Sequence, residues 1–176
     1  PGSDRTNDLQ ITPFVRRHGD GGRSIAMSVS LQLPDGEGSI TPSSLDDPAA
    51  QPVISWPFAG IESNRSRLRA GWRHAARIAA TTDIVVDRSA VAADLELDDA
   101  ALDERIAVEH TAFYHGVATC RMGTDAAESV VDPQCRVHGI AGLRVLDASV
   151  LRTVPRSNTH LVVVALAEHA AATLTW

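Results

Sequence analysis

Tyr114-His115-Gly116-Val117-Ala118-Thr119-Cys120-Arg121-Met122-Gly123 sets a histidine between an aromatic pair, Phe113 and Tyr114, and a turn of small residues. Two more blocks follow. Leu143-Arg144-Val145-Leu146-Asp147-Ala148-Ser149 is an apolar run ending in small and acidic residues. Val154-Pro155-Arg156-Ser157-Asn158-Thr159-His160 stands directly ahead of the apolar run Leu161-Val162-Val163-Val164-Ala165-Leu166-Ala167. Polar groups therefore gather at the ends of elements built to be buried. A histidine exchanges protons near neutral pH without extreme tuning, and two imidazoles at one substrate atom can divide proton removal and hydrogen bonding between them. From spacing alone, His115, His138 and His160 read more readily as hydrogen-bonded structural side chains than as catalytic groups.

Around these blocks lies a chain of 176 residues with 44% hydrophobic composition, enough for one ordinary domain core. No apolar run approaches the roughly 18 residues of a membrane span, and no secretory signal is visible. All 16 basic residues are arginine, the formal charge is -6, and no basic stretch occurs, which argues against a nucleic-acid surface. Two cysteines make no disulfide framework, so a reducing, cytoplasmic location is the expectation.

Upstream, residues 8–15 read as a strand, with Pro13 marking an edge or irregularity. Residues 16–23 read as a glycine-containing surface loop; no strand leads into a correctly spaced glycine fingerprint there. Ile25, Met27, Val29, Leu31 and Leu33 alternate with the period of a half-buried strand. A turn at Pro34–Gly38 and short strands at 39–41 and 53–54 follow. A helix begins at Ser63-Asn64. Its apolar side carries Leu68, Trp72, Ala75 and Ala76, and Arg65, Arg67, Arg69, Arg73 and Arg77 are expected on a solvated face. Residues 83–93 are ambiguous, with Ile84, Val85 and Val86 favouring a strand. A second helix is predicted from Asp98-Asp99 to about Val108, with carboxylates at its amino end. The six acidic residues between Asp94 and Glu104 lack the turn glycine and ligand alternation of a calcium loop.

His115, Cys120, Cys135 and His138 offer nitrogen and sulfur ligands, but their spacing matches no structural zinc knuckle, and no metal is expected. Cys120 lies near His115 without any protease signature, and the two cysteines form no redox pair.

Taken in order, His115–Gly123, Val131-Asp132-Pro133, Arg136-Val137-His138-Gly139, Gly142–Ser149, Pro155, Asn158-Thr159-His160 and Ala167-Glu168 resemble the carboxy-terminal part of the glucose-methanol-choline (GMC) family of flavin oxidoreductases. The likeness is strong after His110 and weaker before it, where Asp8-Leu9-Gln10, the segment from Met27 to Thr41 and the arginine-rich helix resemble the family's substrate domain. The resemblance implies an α+β fold. It consists of an antiparallel substrate-domain sheet with helices, followed by the last strand (143–149) and helix of an FAD-binding α/β domain. It also implies three portions: substrate-binding residues 1–110, an active-site crossing segment 111–142, and a flavin-domain portion 143–176.

By the same resemblance His115 and His160 are the catalytic pair, His115 favoured as base on the alcohol proton and His160 as its hydrogen-bonding partner. Asp147 and Ala148 fall where the last flavin-domain strand nears the cofactor. Asn158, Thr159 and His160 form the turn over the flavin's pyrimidine side. For that turn a helix cap made by Asn158 or Thr159 is the structural alternative. The implied activity is FAD-dependent oxidation of a small-molecule alcohol, with the cofactor carrying the hydride chemistry.

The family's glycine fingerprint occurs nowhere in these residues. The chain is therefore expected to act with an N-terminal FAD-binding fragment or chain that carries it, as a heteromer or cleavage product, and to expose an apolar face without it. The histidine at position 160 and the small aromatic complement of three Phe, three Trp and one Tyr weaken a choline-type substrate. Three alternatives stay open: a flavin-containing lyase of the same fold, a non-catalytic subunit stabilising a flavin-binding partner, and a small zinc-bound domain.

Overall fold

The computed structural model describes residues 5–82 and 87–174. The architecture is α+β, with antiparallel sheets and helices, and it divides into two compact units, Pro1–Thr111 and Ala112–Trp176. Among the described residues no helix is long and apolar enough to cross a membrane.

The first unit opens with a hairpin. Strand β1 (Leu9–Arg17) pairs antiparallel with β2 (Arg23–Leu31), in a register running from Leu9↔Leu31 to Arg17↔Arg23. The ladder is longer than the alternation predicts, because pairing takes in Arg16, Arg17 and Arg23 and leaves only a tight turn. Gly21 supplies the φ of +84° that this turn needs, and the amide of His18 donates to the Gly22 carbonyl at 2.8 Å. Strands β3 (Ser39–Thr41) and β4 (Val53–Ser55) form a second two-stranded sheet, centred on Ile40↔Ile54.

Helix α1 (Glu62–Ala80) lies on the hairpin. Gly71 makes the close approach possible: a Cβ there would stand 2.5 Å from Val29 Cγ1 and 3.5 Å from Leu9 Cδ1. At the helix start Asn64 is fully buried, and it accepts from the Asp35 amide at 2.8 Å while donating to the carbonyls of Asp35 and Phe58. The amide side chain thus replaces the backbone partners that the turn before the helix lacks.

Two arginines of α1, Arg67 and Arg69, correct the expectation of a solvated face, whereas Arg77 is exposed as expected. Arg67 is 4% exposed, and all five of its N–H donors have an acceptor. They reach the carbonyls of Ser63 and Leu33, the carboxylates of Asp8 and Asp35, and Asn64 Oδ1. Arg69, also buried, grips both oxygens of Asp103 at 2.7 and 2.9 Å and Glu62 at 2.6 Å. Hydrogen bonding to Glu62, then to Asp103, holds its guanidinium charged even more firmly than usual. Helical periodicity sorts residues by hydrophobicity, and it is blind to acidic groups that other segments bring over the same face.

Helix α2 (Arg88–Glu96) starts at Asp87, whose side chain accepts from the Ala90 amide, and α3 (Asp99–Glu109) starts at Asp98, which accepts from Ala101. Leu102 and Ile106 bury the inner side of α3. Arg105 lies 5.6 Å from the centre of the Trp72 ring. The acidic run is thereby absorbed into caps and arginine pairs, with Asp99 and Asp103 facing Arg69 and Arg73. The strand reading of Ile84, Val85 and Val86 lies outside the described residues.

These pairs set the acid response of the first unit. The Ser63 hydroxyl and then Arg5 hold the Asp35 carboxyl below the usual range, and Arg69 and then Arg65 do the same for Glu62. In the unfolded chain such groups titrate near 3.8 and 4.5. As pH falls through those values the unfolded state takes up protons first, so stability conferred at higher pH is lost until the folded carboxyls protonate as well. Asp94 works in the opposite sense: burial pushes it up, so its protonation favours the folded state. The Ser89 hydroxyl and then the Ala90 amide depress Asp87 as well, so three depressed groups against one raised group give a falling thermal midpoint between about pH 5 and 3. Glu62→Gln is expected to shallow that fall, and an unchanged slope would contradict the role given to the Arg69–Glu62 pair.

The second unit has little regular structure before its final helix. Its buried centre includes Val131, Cys135 and Val150. Residues 120–123 run beside the chain near Val150: the Cys120 amide donates to the Ser149 carbonyl and the Met122 amide to Val150, each at 3.0 Å. Asp132 closes a turn by accepting from the amides of Gln134 and Arg136, and positive φ at Cys135, Gly139 and Gly142 shapes the chain that follows.

The strand expected over 143–149 is not present as a strand. Arg144 makes an isolated bridge to Arg136, and the chain then enters the 3-10 turn Ala148–Val150. A strand needs a neighbour to pair with, and the described residues place no other strand beside it. Helix α4 (His160–Thr173) closes the unit; it is apolar almost all round, yet Ala170 is its one buried residue among those described.

Candidate active site

His115 sits in an irregular segment whose backbone is forced. Tyr114 immediately before it has φ +58° and Ala118 after it +70°, both in the left-handed region that side chains disfavour. For a bulky residue such as Tyr114 this conformation costs on the order of 1–3 kcal/mol, and such costs concentrate where a neighbour must be aimed. The His115 ring is half-buried. Phe113 meets it edge-on, with centroids 4.9 Å apart and planes at 88°, so the imidazole is fixed on one side by an aromatic contact.

Its other fixed point comes from the last block of the sequence. Thr159 Oγ1 lies 3.3 Å from His115 Nδ1. Thr159 is the residue before α4 and is 9% exposed; it has helical backbone angles and makes no capping hydrogen bond. The structural alternative of a helix cap by Thr159 is thus not realised: its hydroxyl is turned to His115 instead. His160 follows as the first residue of α4 and is exposed, as is Asn158. Two blocks 44 residues apart thus meet through one side-chain contact.

Asp147 and Ala148 occupy the turn before Val150. The Asp147 carboxylate accepts from the Ser149 amide at 2.8 Å and from its hydroxyl at 2.5 Å, so it shapes the turn that ties down the chain following His115. Ala148 opens the 3-10 turn and is partly exposed. The structure records no contact from either residue to His115.

His138 is a different kind of histidine. Its Nε2 lies 3.1 Å from both the Gly123 carbonyl and Ser129 Oγ, which spends it on holding two loop segments together. His115 and His138 are thus engaged separately, and among the described residues no three His, Cys, Asp or Glu side chains gather where a metal could be held. Burial pushes the Cys135 thiol up, away from nucleophilic reactivity. Two contacts of His115 go beyond the sequence reading: the edge-on ring of Phe113, two residues before it in non-helical chain, and the Thr159 hydroxyl. The first had a signal in its spacing. The second had none, because a threonine ahead of an apolar helix reads as a cap.

An α+β scaffold thus carries a histidine contacted by the residue ahead of a helix whose first residue is a second histidine. In comparison with known proteins, the GMC oxidoreductase family profile matches residues 34–167. The chain belongs to the GMC oxidoreductase family, whose members use FAD. It is 40% identical over 157 residues to an uncharacterized GMC-type oxidoreductase of Mycobacterium tuberculosis, covering 85% of this chain and 29% of that protein. It is 37% identical over 129 residues to pyranose dehydrogenase 3 of Leucoagaricus meleagris, covering 71% of this chain and 21% of the relative. The solved formate oxidase of Aspergillus oryzae superposes with a TM-score of 0.78 at 26% identity, over 89% of this chain and 28% of that one. The chain therefore spans less than a third of the length of these relatives.

Proposed function

We propose that this chain supplies the proton-handling residues and the substrate-side scaffold of an FAD-dependent alcohol oxidoreductase. In this reading His115 is the base that takes the hydroxyl proton and His160 donates a hydrogen bond to the same oxygen. The observation that carries the proposal is the contact between Thr159 and His115, which brings the two histidine-bearing blocks to one place. Splitting the work between two rings is chemically apt: the departing proton needs an acceptor, and the charge developing on oxygen needs an oriented donor.

The residues at the start of α4 fit a flavin. With no capping side chain at Thr159, the first-turn amides can face an external acceptor, and a helix amino end favours negative charge there. Asn158, Thr159 and His160 would lie along the pyrimidine side of the isoalloxazine, and Asp147 and Ala148 nearer the phosphate and ribityl chain. Bound FAD would supply the hydride acceptor. The remaining cofactor contacts belong to a portion carrying the glycine fingerprint, and that portion is also the proposed cover for α4, where Leu161 is 77% and Val164 44% exposed. Residues 1–110 then serve the substrate-binding domain, 111–142 the crossing to the active site, and 143–176 the end of the flavin-binding domain.

The proposed substrates are small alcohols. Pyranose dehydrogenase of Agaricus xanthodermus and 5-(hydroxymethyl)furfural oxidase of Methylovorus are among the named relatives, and sugars, furan alcohols and benzylic alcohols make a suitable first panel. Mixed without oxygen with the flavin-loaded protein, produced together with the fingerprint-bearing portion, at least one of these alcohols is expected to bleach the flavin band. Bound flavin that no alcohol on a broad panel bleaches would favour a lyase or a non-catalytic subunit instead.

A further inference from the structure

We infer that Thr159 is a positioning residue for the proton-transfer step, its hydroxyl oxygen accepting a hydrogen bond from His115 Nδ1–H and so holding the ring in the tautomer whose Nε2 bears the lone pair. The inference rests on the reading of His115 as base and goes beyond it, since nothing in that reading gives the hydroxyl a task other than lining the flavin turn.

Three observations carry it. The hydroxyl lies 3.3 Å from Nδ1, so Nδ1 is the ring nitrogen already engaged. Thr159 is 9% exposed, which limits how far water can compete at that nitrogen. It is also the N-cap of α4 and makes no capping bond, although a threonine hydroxyl at that position ordinarily accepts from a first-turn amide. The hydroxyl has forgone its local use for a tertiary one.

The chemistry fixes the direction of the bond. A neutral imidazole carries one N–H, and whichever nitrogen holds it leaves the other as acceptor. If the Thr159 hydroxyl donated to Nδ1, Nε2 would hold the proton and could accept nothing from an alcohol. If Nδ1–H donates to Oγ1, Nε2 is free. When the alcohol O–H breaks and its proton forms an N–H at Nε2, the ring becomes a cation with both nitrogens protonated, and the bond to Oγ1 persists unchanged. One hydroxyl thus serves both protonation states without rotating. The edge-on contact with Phe113 holds the ring plane while the hydroxyl sets which nitrogen is which.

The test uses the flavin-loaded protein together with its fingerprint-bearing portion, labelled with nitrogen-15 at histidine. In the wild type the His115 ring is expected to show protonated Nδ1 and unprotonated Nε2 at a pH where it is neutral. Thr159→Val keeps the shape and removes the acceptor. It is expected to mix the two tautomers and to lower kcat/KM by about tenfold, the scale of one neutral hydrogen bond. Thr159→Ser should restore both the tautomer and kcat/KM, and flavin content measured on each variant separates this effect from loss of the cofactor. A wild-type ring protonated at Nε2 would overturn the inference even if the valine variant failed to fold. A valine variant with wild-type tautomer and kcat/KM, or a serine variant that restored neither, would overturn it too. Undiminished turnover in His115→Gln, by contrast, would remove the underlying reading of His115 as base, which separates the two failures.

Discussion

Replacing His115 with glutamine is expected to lower alcohol turnover by about 10²- to 10⁴-fold while the flavin stays bound, the range set by losing a positioned general base. Glutamine keeps a polar side chain in the half-buried place between Phe113 and Thr159 but cannot take up a proton. His160→Gln is expected to cost less, because it removes an oriented donor and leaves the base. The double variant should be only slightly worse than His115→Gln alone, since groups that act as a unit give non-additive losses. Steady-state kinetics with flavin content measured on the same samples would check all three. Equal, additive losses would point to two independent contributions, and loss of flavin from His115→Gln would point to a structural role.

The largest expected effect on stability comes from Arg67. Its guanidinium is almost fully buried, faces a buried Asp8, and satisfies carbonyls from two segments as well as Asn64. Arg67→Met keeps most of the stem but removes the guanidinium that pairs with Asp8 at 3.3 Å, and it takes one donor each from the Ser63 and Leu33 carbonyls. Removing one partner of such a buried pair costs about 3–5 kcal/mol. The expected result is a drop of that size in unfolding free energy, with β1 and the start of α1 losing hydrogen-exchange protection first. A loss below about 1 kcal/mol would mean that water replaces the arginine and that the pair behaves as a surface one.

What could be read from the sequence divides along a physical line. The hairpin and the helices α1 and α3 were legible because alternation at Ile25, Met27, Val29 and Leu31, the spacing of Leu68, Trp72 and Ala75, and the capping aspartate at Asp98 are local signals. The blocks around His115 and His160 were legible because their order along the chain is itself informative. The burial of Arg67 was not, since its carboxylate partners lie 59 and 32 residues away at Asp8 and Asp35. The strand expected over 143–149 shows the same dependence in reverse. Its composition is right for a strand, yet extended chain becomes a ladder only beside another strand, and here it gains one bridge at Arg144. Thr159 is the most instructive case. Its local setting favours a cap, and a tertiary contact with a ring 44 positions away takes the hydroxyl instead.

The decisive measurement is rapid anaerobic mixing of the flavin-loaded protein with an alcohol that it oxidises, following the flavin band in wild type and in His115→Gln. The expected result is complete bleaching in both, slowed at least a hundredfold in the variant. Bleaching at the same rate in both proteins would contradict the assignment of proton removal to this chain and would place the chemistry elsewhere.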